Sequence, residues 1–263
     1  MTWLYEHLIF RRGETAARKL HRPEASLRSE LKGLPPTRNL ADALRGGRPA
    51  VIAEIKFHSP SQGELRSLRD VEAVAMGYHR AGAAALSVLV DARHFGGEIG
   101  FLDRAKSACP LPILAKGFFV DPYDLLEMRA AGADAVLLIA QSLTRDELKI
   151  MLHTARELGL ATLMELHHPE DLAKVDGLDL DLVGVNHRNL DTLEMDAGLS
   201  RRLVSSLPVA CVKVAESGLK SAADFRRMAE LGYDAVLVGT AFMGLPDPGQ
   251  GLAQLLEECH ACR

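Results

Sequence analysis

Apolar and polar positions along this chain fall into two alternating rhythms. Short apolar runs such as "AVLLI" from Ala135 and "AVLV" from Ala235 have the length and composition of strands buried on both faces. Segments between such runs, among them "DPYDLLEMRAAG", "TRDELKIMLHTARELG" and "SAADFRRMAELG", repeat apolar residues at three- and four-residue intervals and predict amphipathic helices. Each of the three opens on a residue suited to capping a helix N-terminus: Asp121, Thr144 and Ser221. Four phrases then join a helix tail, a glycine and a strand-like run: "RAGAAALSVLV", "AAGADAVLLIA", "ELGLATLMEL" and "ELGYDAVLVG". Their glycines, Gly82, Gly132, Gly159 and Gly232, stand where a helix ends in a left-handed residue. The spacing describes a repeated βα unit.

Filling the gaps between these phrases predicts eight strands: Ala50 to Ile55, Ala85 to Val90, Pro112 to Lys116, Ala135 to Ile139, Thr162 to Glu165, Leu182 to Asn186, Cys211 to Glu216 and Ala235 to Val238. Eight strands alternating with helices predict an α/β chain closed into a (β/α)8 (TIM) barrel, with an open doubly wound sheet as the rival. Residues 1–48 do not fit the repeat. "ETAARKLHRPEASLRSELKG" is charged and helix-prone, "LPPTRN" is a turn, and "LADALRG" is a short helix with one apolar face. They read as a helical N-terminal extension packed on the barrel, over one end, with residues 49–263 forming the barrel itself.

Composition narrows the class. The chain has 263 residues, 48% hydrophobic and 25% charged, enough for a sizeable core; length alone suggests two domains, but barrels reach it as one. A net charge of −4 without a basic block argues against a general nucleic-acid surface. The N-terminal stretch lacks the order of a secretory signal and no apolar run approaches a membrane span, so a cytoplasmic protein is expected. Cys109 and Cys211 sit in unrelated segments, and Cys259 with Cys262 is half of a zinc or redox motif whose second pair of ligands is missing.

Candidate chemistry sits where the strands end. Glu54 and Lys56, two apart, point the same way. Lys116, Glu165, Asn186 with Arg188, Glu216 with Ser217, and Gly239 with Thr240 follow at the ends of later strands. In a (β/α)8 barrel these C-terminal ends converge on one mouth. Ser217 with Gly218 and Gly239 with Thr240, on the loops after the last two strands, suit a phosphate held by backbone N–H groups. Such a mouth supports general acid–base work on an anionic substrate, with repulsion between two lysines lowering the pKa of at least one. A structural ion-pair network is the alternative. His167 and His168 are adjacent, point apart and lack a third ligand, so they read as loop histidines; Ser59 and Ser61 around Pro60 read as turn formers.

The motifs "VIAEIKFHSPSQG", "AGAAALSVLVDARHFGG", "PILAKGFFVDPYDL", "AGADAVLLIA", "LVGVNHRNLDTLEMD", "VAESGLKS" and "DAVLVGTAFMGLPDPG" occur in an order that resembles the indole-3-glycerol-phosphate synthase family, from about Glu14 to near Leu256. The resemblance implies a (β/α)8 barrel that works without metal or organic cofactor in tryptophan biosynthesis. The implied reaction is ring closure, decarboxylation and dehydration of 1-(o-carboxyphenylamino)-1-deoxyribulose 5-phosphate to indole-3-glycerol phosphate. It implies Lys116 as the acid on the substrate ketone, Glu165 and Glu54 as acid–base carboxylates, and Lys56 as a second proton donor facing substrate anions. Asn186 and Glu216 join the catalytic set; Arg188, Ser59, Phe95, Phe118 and Ser217 line the substrate. Ser217, Gly218, Gly239, Thr240 and Lys56 face the phosphate. The implied partner is this small anionic aminoketose phosphate, handled by a monomer or weak homo-oligomer without nucleic acid or membrane.

Three departures from the family pattern surround the mouth. Gly117 stands where an aspartate usually follows the lysine, Phe57 and His58 precede Ser59, and Val90, Arg93 and His94 replace the usual residues after the second strand. Phe57 is expected to enlarge an apolar wall and Gly117 to free space. These changes leave open a paralogue that closes a ring on a related aminoketose phosphate, or a silent barrel that only binds a phosphate ligand.

Overall fold

The computed structural model describes residues 2–46 and 49–261. Eight parallel strands close into a barrel: Ala50–Ile55, Ala85–Leu89, Ile113–Lys116, Ala135–Ile139, Ala161–Leu166, Leu182–Asn186, Val212–Glu216 and Ala235–Val238. They pair in chain order, and the first meets both the second, with Glu54 beside Ser87, and the eighth, with Ala53 beside Val238. No predicted strand boundary is off by more than one residue.

Local chemistry accounts for the punctuation. Asp121, Thr144 and Ser221 each cap their helix in a reciprocal capping box, with Asp124, Glu147 and Asp224 returning the bond. The glycines at the helix ends are left-handed, as at Gly132 (φ 96°) and Gly232 (φ 91°), and each turns the chain directly into a strand. Inward-facing strand residues such as Ile52, Leu114, Leu163, Leu182 and Val214 are fully buried, so the barrel is filled rather than hollow.

The N-terminal residues form three helices. The first, α1 (Trp3–His21), starts at the Thr2 cap and stops at Arg22, whose extended backbone suits the following Pro23. It lies along the loops after the second and third strands. There Arg18 reaches Asp124 at 2.7 Å and Glu127 at 2.8 Å, and Thr15 Oγ1 donates to Asp124 at 2.7 Å. The second, α2 (Glu24–Leu31), packs Leu27 against Tyr123 and Leu126. The third, α3 (Leu40–Leu44), buries Leu40 and Leu44, and the preceding Arg38 donates to the carbonyls of Cys109 and Leu111 just before the third strand. The extension was expected over one end of the barrel and instead reaches both, with α3 carried to the far end by the irregular segment around Pro35 and Pro36 that follows α2.

Cys109 and Cys211 are separately buried. Cys262 lies outside the described residues, so the C-terminal pair has no structural account. Among the described residues no helix is long and apolar enough to cross a membrane.

Candidate active site

Strand register puts the charged ends at one level. Leu89 pairs with Lys116, Ile139 with Glu165, Glu165 with Gly184, and Asn186 with Glu216. Side chains of paired residues in a parallel ladder share a face, so these groups point into the barrel. Above them opens a cavity of about 170 Å³. Glu54, Lys56, Lys116, Glu165 and Asn186 form its floor and sides, with Ser59, Phe95, Phe118 and Arg188 around them. Ser217, Gly218, Gly239 and Thr240 complete one side.

Glu216 is the exception among the predicted residues. It is fully buried beneath Lys116 and contributes no surface to the cavity. Lys116 Nζ stands 2.5 Å from Glu216 Oε2, 3.2 Å from Glu165 Oε2 and 4.0 Å from Glu54 Oε2, while Lys56 Nζ stands 2.5 Å from Glu54 Oε1. For Lys116 the expected lowering by a second lysine is therefore reversed. Burial alone would lower Lys116, but Glu216, Glu165 and Glu54 together push it far above its ordinary value. The lysines are separated by carboxylates that bind each of them.

The carboxylates divide the work. Burial raises all three, yet Lys56 and Lys116 hold Glu54 below its ordinary range, and Lys116 with His167 does the same for Glu165. Glu216 moves the other way: burial and the neighbouring Glu165 outweigh Lys116 and lift it well above the carboxylate range. Two carboxyl groups cannot both ionise freely in one dry pocket, so of this pair Glu216 holds its proton more tightly than Glu165.

Two glycines make this packing possible. A Cβ at Gly184 would run into Glu216 Oε1, and one at Gly239 would fall 2.5 Å from Glu54 Oε1. Gly184 was missed in the sequence reading, although a glycine inside a strand is the usual sign of such a close approach. Ser217 (φ 66°) and Gly218 (φ 75°) are consecutive left-handed residues, and Ser217 is held there against its own preference. Asn186 Oδ1 accepts from the Arg188 backbone N–H at 3.0 Å, and Arg188 Nη1 donates to the Leu193 carbonyl at 3.0 Å, which fixes both side chains.

Trp3 also lines the cavity and was missed, since nothing in its local pattern reveals that α1 crosses the mouth. Its ring meets Phe118 edge-on at 5.8 Å and stacks on His7 at 5.3 Å. His7 Nε2 in turn pairs with Asp91 Oδ2 at 2.8 Å, and Arg11 Nε donates to the Phe118 carbonyl at 3.3 Å.

The departures around the mouth change the picture less than expected. Phe57 points away from the cavity and packs edge-on against Phe101 at 5.5 Å, so it enlarges no wall. His58 Nδ1 lies 2.8 Å from the His94 carbonyl and serves the loop. Gly117 frees no room, because Val90 Cγ2 already stands 2.9 Å from where its Cβ would be. His167 and His168 lie in the loop that follows the fifth strand, and His167 is buried there. Among the described residues no cluster of His, Cys, Asp and Glu is suited to a metal ion.

The family model of indole-3-glycerol phosphate synthase matches residues 5–255. The chain belongs to the indole-3-glycerol phosphate synthase family. A relative of that name from Albidiferax ferrireducens is 43% identical over 260 residues, covering 97% of this chain and 98% of the relative. Another, from Aromatoleum aromaticum, is 42% identical over 252 residues, with 94% and 96% covered. Solved structures add the fold alone: 3-hexulose-6-phosphate synthase from Salmonella typhimurium has a TM-score of 0.60 at 16% identity, covering 80% of this chain and 100% of its own. KGPDC from Streptococcus mutans has a TM-score of 0.62 at 12% identity, covering 81% and 98%. An indole-3-glycerol phosphate synthase is a decarboxylating lyase of tryptophan biosynthesis that acts on a small phosphorylated substrate. The retuned paralogue and the silent barrel lose the structural grounds that Phe57 and Gly117 were expected to supply.

Proposed function

We propose that the mouth closes the indole ring of 1-(o-carboxyphenylamino)-1-deoxyribulose 5-phosphate with Lys116 as the acid on its ketone. The observation that carries this reading is one buried ammonium held among three carboxylates on the cavity floor, 2.5 to 4.0 Å away. The aromatic carbon that bears the carboxylate attacks the ketone carbon while Lys116 gives its proton to the ketone oxygen. Carbon dioxide then leaves and its bonding electrons restore the aromatic ring. In the dehydration step Lys56 protonates the hydroxyl, which departs as water. Glu165 accepts the proton that the ring system loses, and Glu54 holds Lys56 in place. Glu216, 2.5 Å from Lys116 and with a carboxyl that burial and Glu165 make harder to ionise, is placed to return the proton that the lysine has spent.

In this reading Ser217, Gly218, Gly239 and Thr240 hold the phosphate through backbone N–H groups and hydroxyls, and Asn186 with Arg188 orients the sugar chain and carboxylate. Phe95 and Phe118 flank the aromatic ring, and Ser59 closes the first loop over it. The enzyme is read as a cytoplasmic monomer or weak homo-oligomer. The test is to add purified protein to the substrate and follow indole fluorescence, with Lys116→Ala beside it. Turnover that the variant loses is expected. Undiminished turnover by Lys116→Ala refutes the assigned role.

A further inference from the structure

Two residues beyond Glu165, His167 occupies a position that the ring-closing scheme leaves unused. Its side chain has no solvent exposure, and Nε2 lies 3.0 Å from Glu165 Oε1. That distance suits an ion pair or hydrogen bond, but the angle falls short of one, and neither ring nitrogen has a hydrogen-bond partner among the described residues. The ring is placed from the backbone: the His167 N–H donates to Asp171 Oδ2 at 2.8 Å, and the next N–H to the same oxygen at 3.0 Å. A buried imidazole with nothing else to bond is costly unless the neighbouring carboxylate uses it. Hydrogen bonds around catalytic groups are commonly loose in a free enzyme and tighten when substrate fills the site.

We propose that His167 is a positioning residue for Glu165, holding Oε1 from behind so that Oε2 stays turned toward Lys116 and the reacting centre. This rests on the reading of Glu165 as an acid–base carboxylate. Glu165 is a carboxylate with two demands on it: Lys116 draws one oxygen at 3.2 Å, and without a second partner the other is free to rotate toward Glu216 or Glu54. His167 removes that freedom. Because the ring contributes nothing to the cavity surface, its influence reaches the substrate only through Glu165.

The experiment compares His167→Leu, His167→Asn and Glu165→Gln by indole fluorescence, with unfolding curves as a folding control. Leu keeps apolar volume and loses the donor; the Asn amide keeps a donor and gives up volume. His167→Leu is expected to lower kcat about 10- to 100-fold, the scale on which partners that orient a reacting group act. KM should stay within about twofold, since the cavity wall is untouched. His167→Asn should recover most of the loss. The acid limb of the kcat profile should also move to higher pH in His167→Leu. Lys116 on the third strand, Glu216 on the seventh and Glu54 on the first still face Glu165 there, but a neighbour that favours its anion is gone.

Rescue by Asn and not Leu supports the proposal; rescue by Leu and not Asn makes His167 a packing residue and overturns it. Unchanged turnover by Glu165→Gln would instead remove the acid–base reading of Glu165 on which the proposal stands. If His167→Leu does not fold, ring-nitrogen NMR of the unaltered chain decides. A hydrogen-bonded Nε2–H that shifts in Glu165→Gln is expected, and an unprotonated Nε2 overturns the proposal.

Discussion

Replacing Lys116 by Met keeps the side-chain length and removes the cation that Glu54, Glu165 and Glu216 share. Each contact, between 2.5 and 4.0 Å, carries about 4–7 kcal/mol of Coulomb attraction at an effective dielectric of about 20, most of it cancelled by desolvation. The net cost of stripping one partner from a buried pair is about 3–5 kcal/mol, because the remaining charges stay buried and unmatched. At about 2–4 °C per kcal/mol for a chain of this size, the melting temperature should fall by roughly 10 °C near neutral pH.

Protonation is the escape, and it fixes the sign of the pH dependence. In the unaltered protein Glu165 sits below its ordinary 4.5, so its contribution is present above that value and is lost as pH falls through the lowered one. Without Lys116, burial dominates and the folded carboxyls bind protons more tightly than the unfolded chain. Stability of the variant then rises as pH falls toward the ordinary value. Urea unfolding near pH 8 and near pH 5.5 should therefore show a deficit that narrows at the lower pH. In parallel kcat should fall about 10²- to 10⁴-fold, the usual worth of a positioned acid. A variant as stable as the original near pH 8, or a deficit that widens on acidification, would refute the charge network as described.

Two further outcomes follow from close contacts. Gly117→Ala brings a methyl to 2.9 Å from Val90 Cγ2 and should cost about 1–3 kcal/mol, while Val90→Ala together with Gly117→Ala should recover at least about 1 kcal/mol of it. An additive double-mutant cycle in urea unfolding would show that the two side chains do not compete for the same space. Ser217→Gly removes a left-handed non-glycine residue at φ 66°, so stability should be unchanged or higher by up to about 1 kcal/mol. The same change should raise KM for the phosphorylated substrate, and an unaltered KM would remove the Ser217 hydroxyl from phosphate binding.

Much of this molecule was legible because its signals are periodic. The strands, the caps at Asp121, Thr144 and Ser221, and the turning glycines each obey a local rule, and Glu54, Lys116 and Glu165 were found because strand ends converge in a closed barrel. Parity within a strand was enough to aim Glu54 and Lys56 together. Phe57 was misread as a wall residue although the same alternation turns it away from Lys56, and its ring packs against Phe101. Depth was also invisible: Asn186 and Glu216 pair in register, yet one lines the cavity and the other lies sealed beneath Lys116. The sign of the lysine shift was misread for a related reason. Two like charges were counted at the ends of the first and third strands, whereas three carboxylates arriving from the first, fifth and seventh strands decide the balance.

Trp3 marks a different limit, because its placement depends on a helix crossing loops far away in sequence. Floor and wall of the mouth are held by different parts of the chain. The floor groups stand on strands whose register is fixed by a closed sheet, so moving one of them requires distorting a ladder on both sides. The wall at Phe118 lies two residues past Lys116, beyond the sheet, and is fixed by α1 through Trp3, His7 and the Arg11 bond to its carbonyl. The His7 and Asp91 side chains in that contact are almost fully buried, so α1 is secured by a polar pair that loses its partner if the helix lifts. Local opening of α1 therefore disturbs the aromatic wall while leaving the ion network intact. Binding of the substrate's aromatic part and proton transfer at its ketone thus depend on separable parts of one structure.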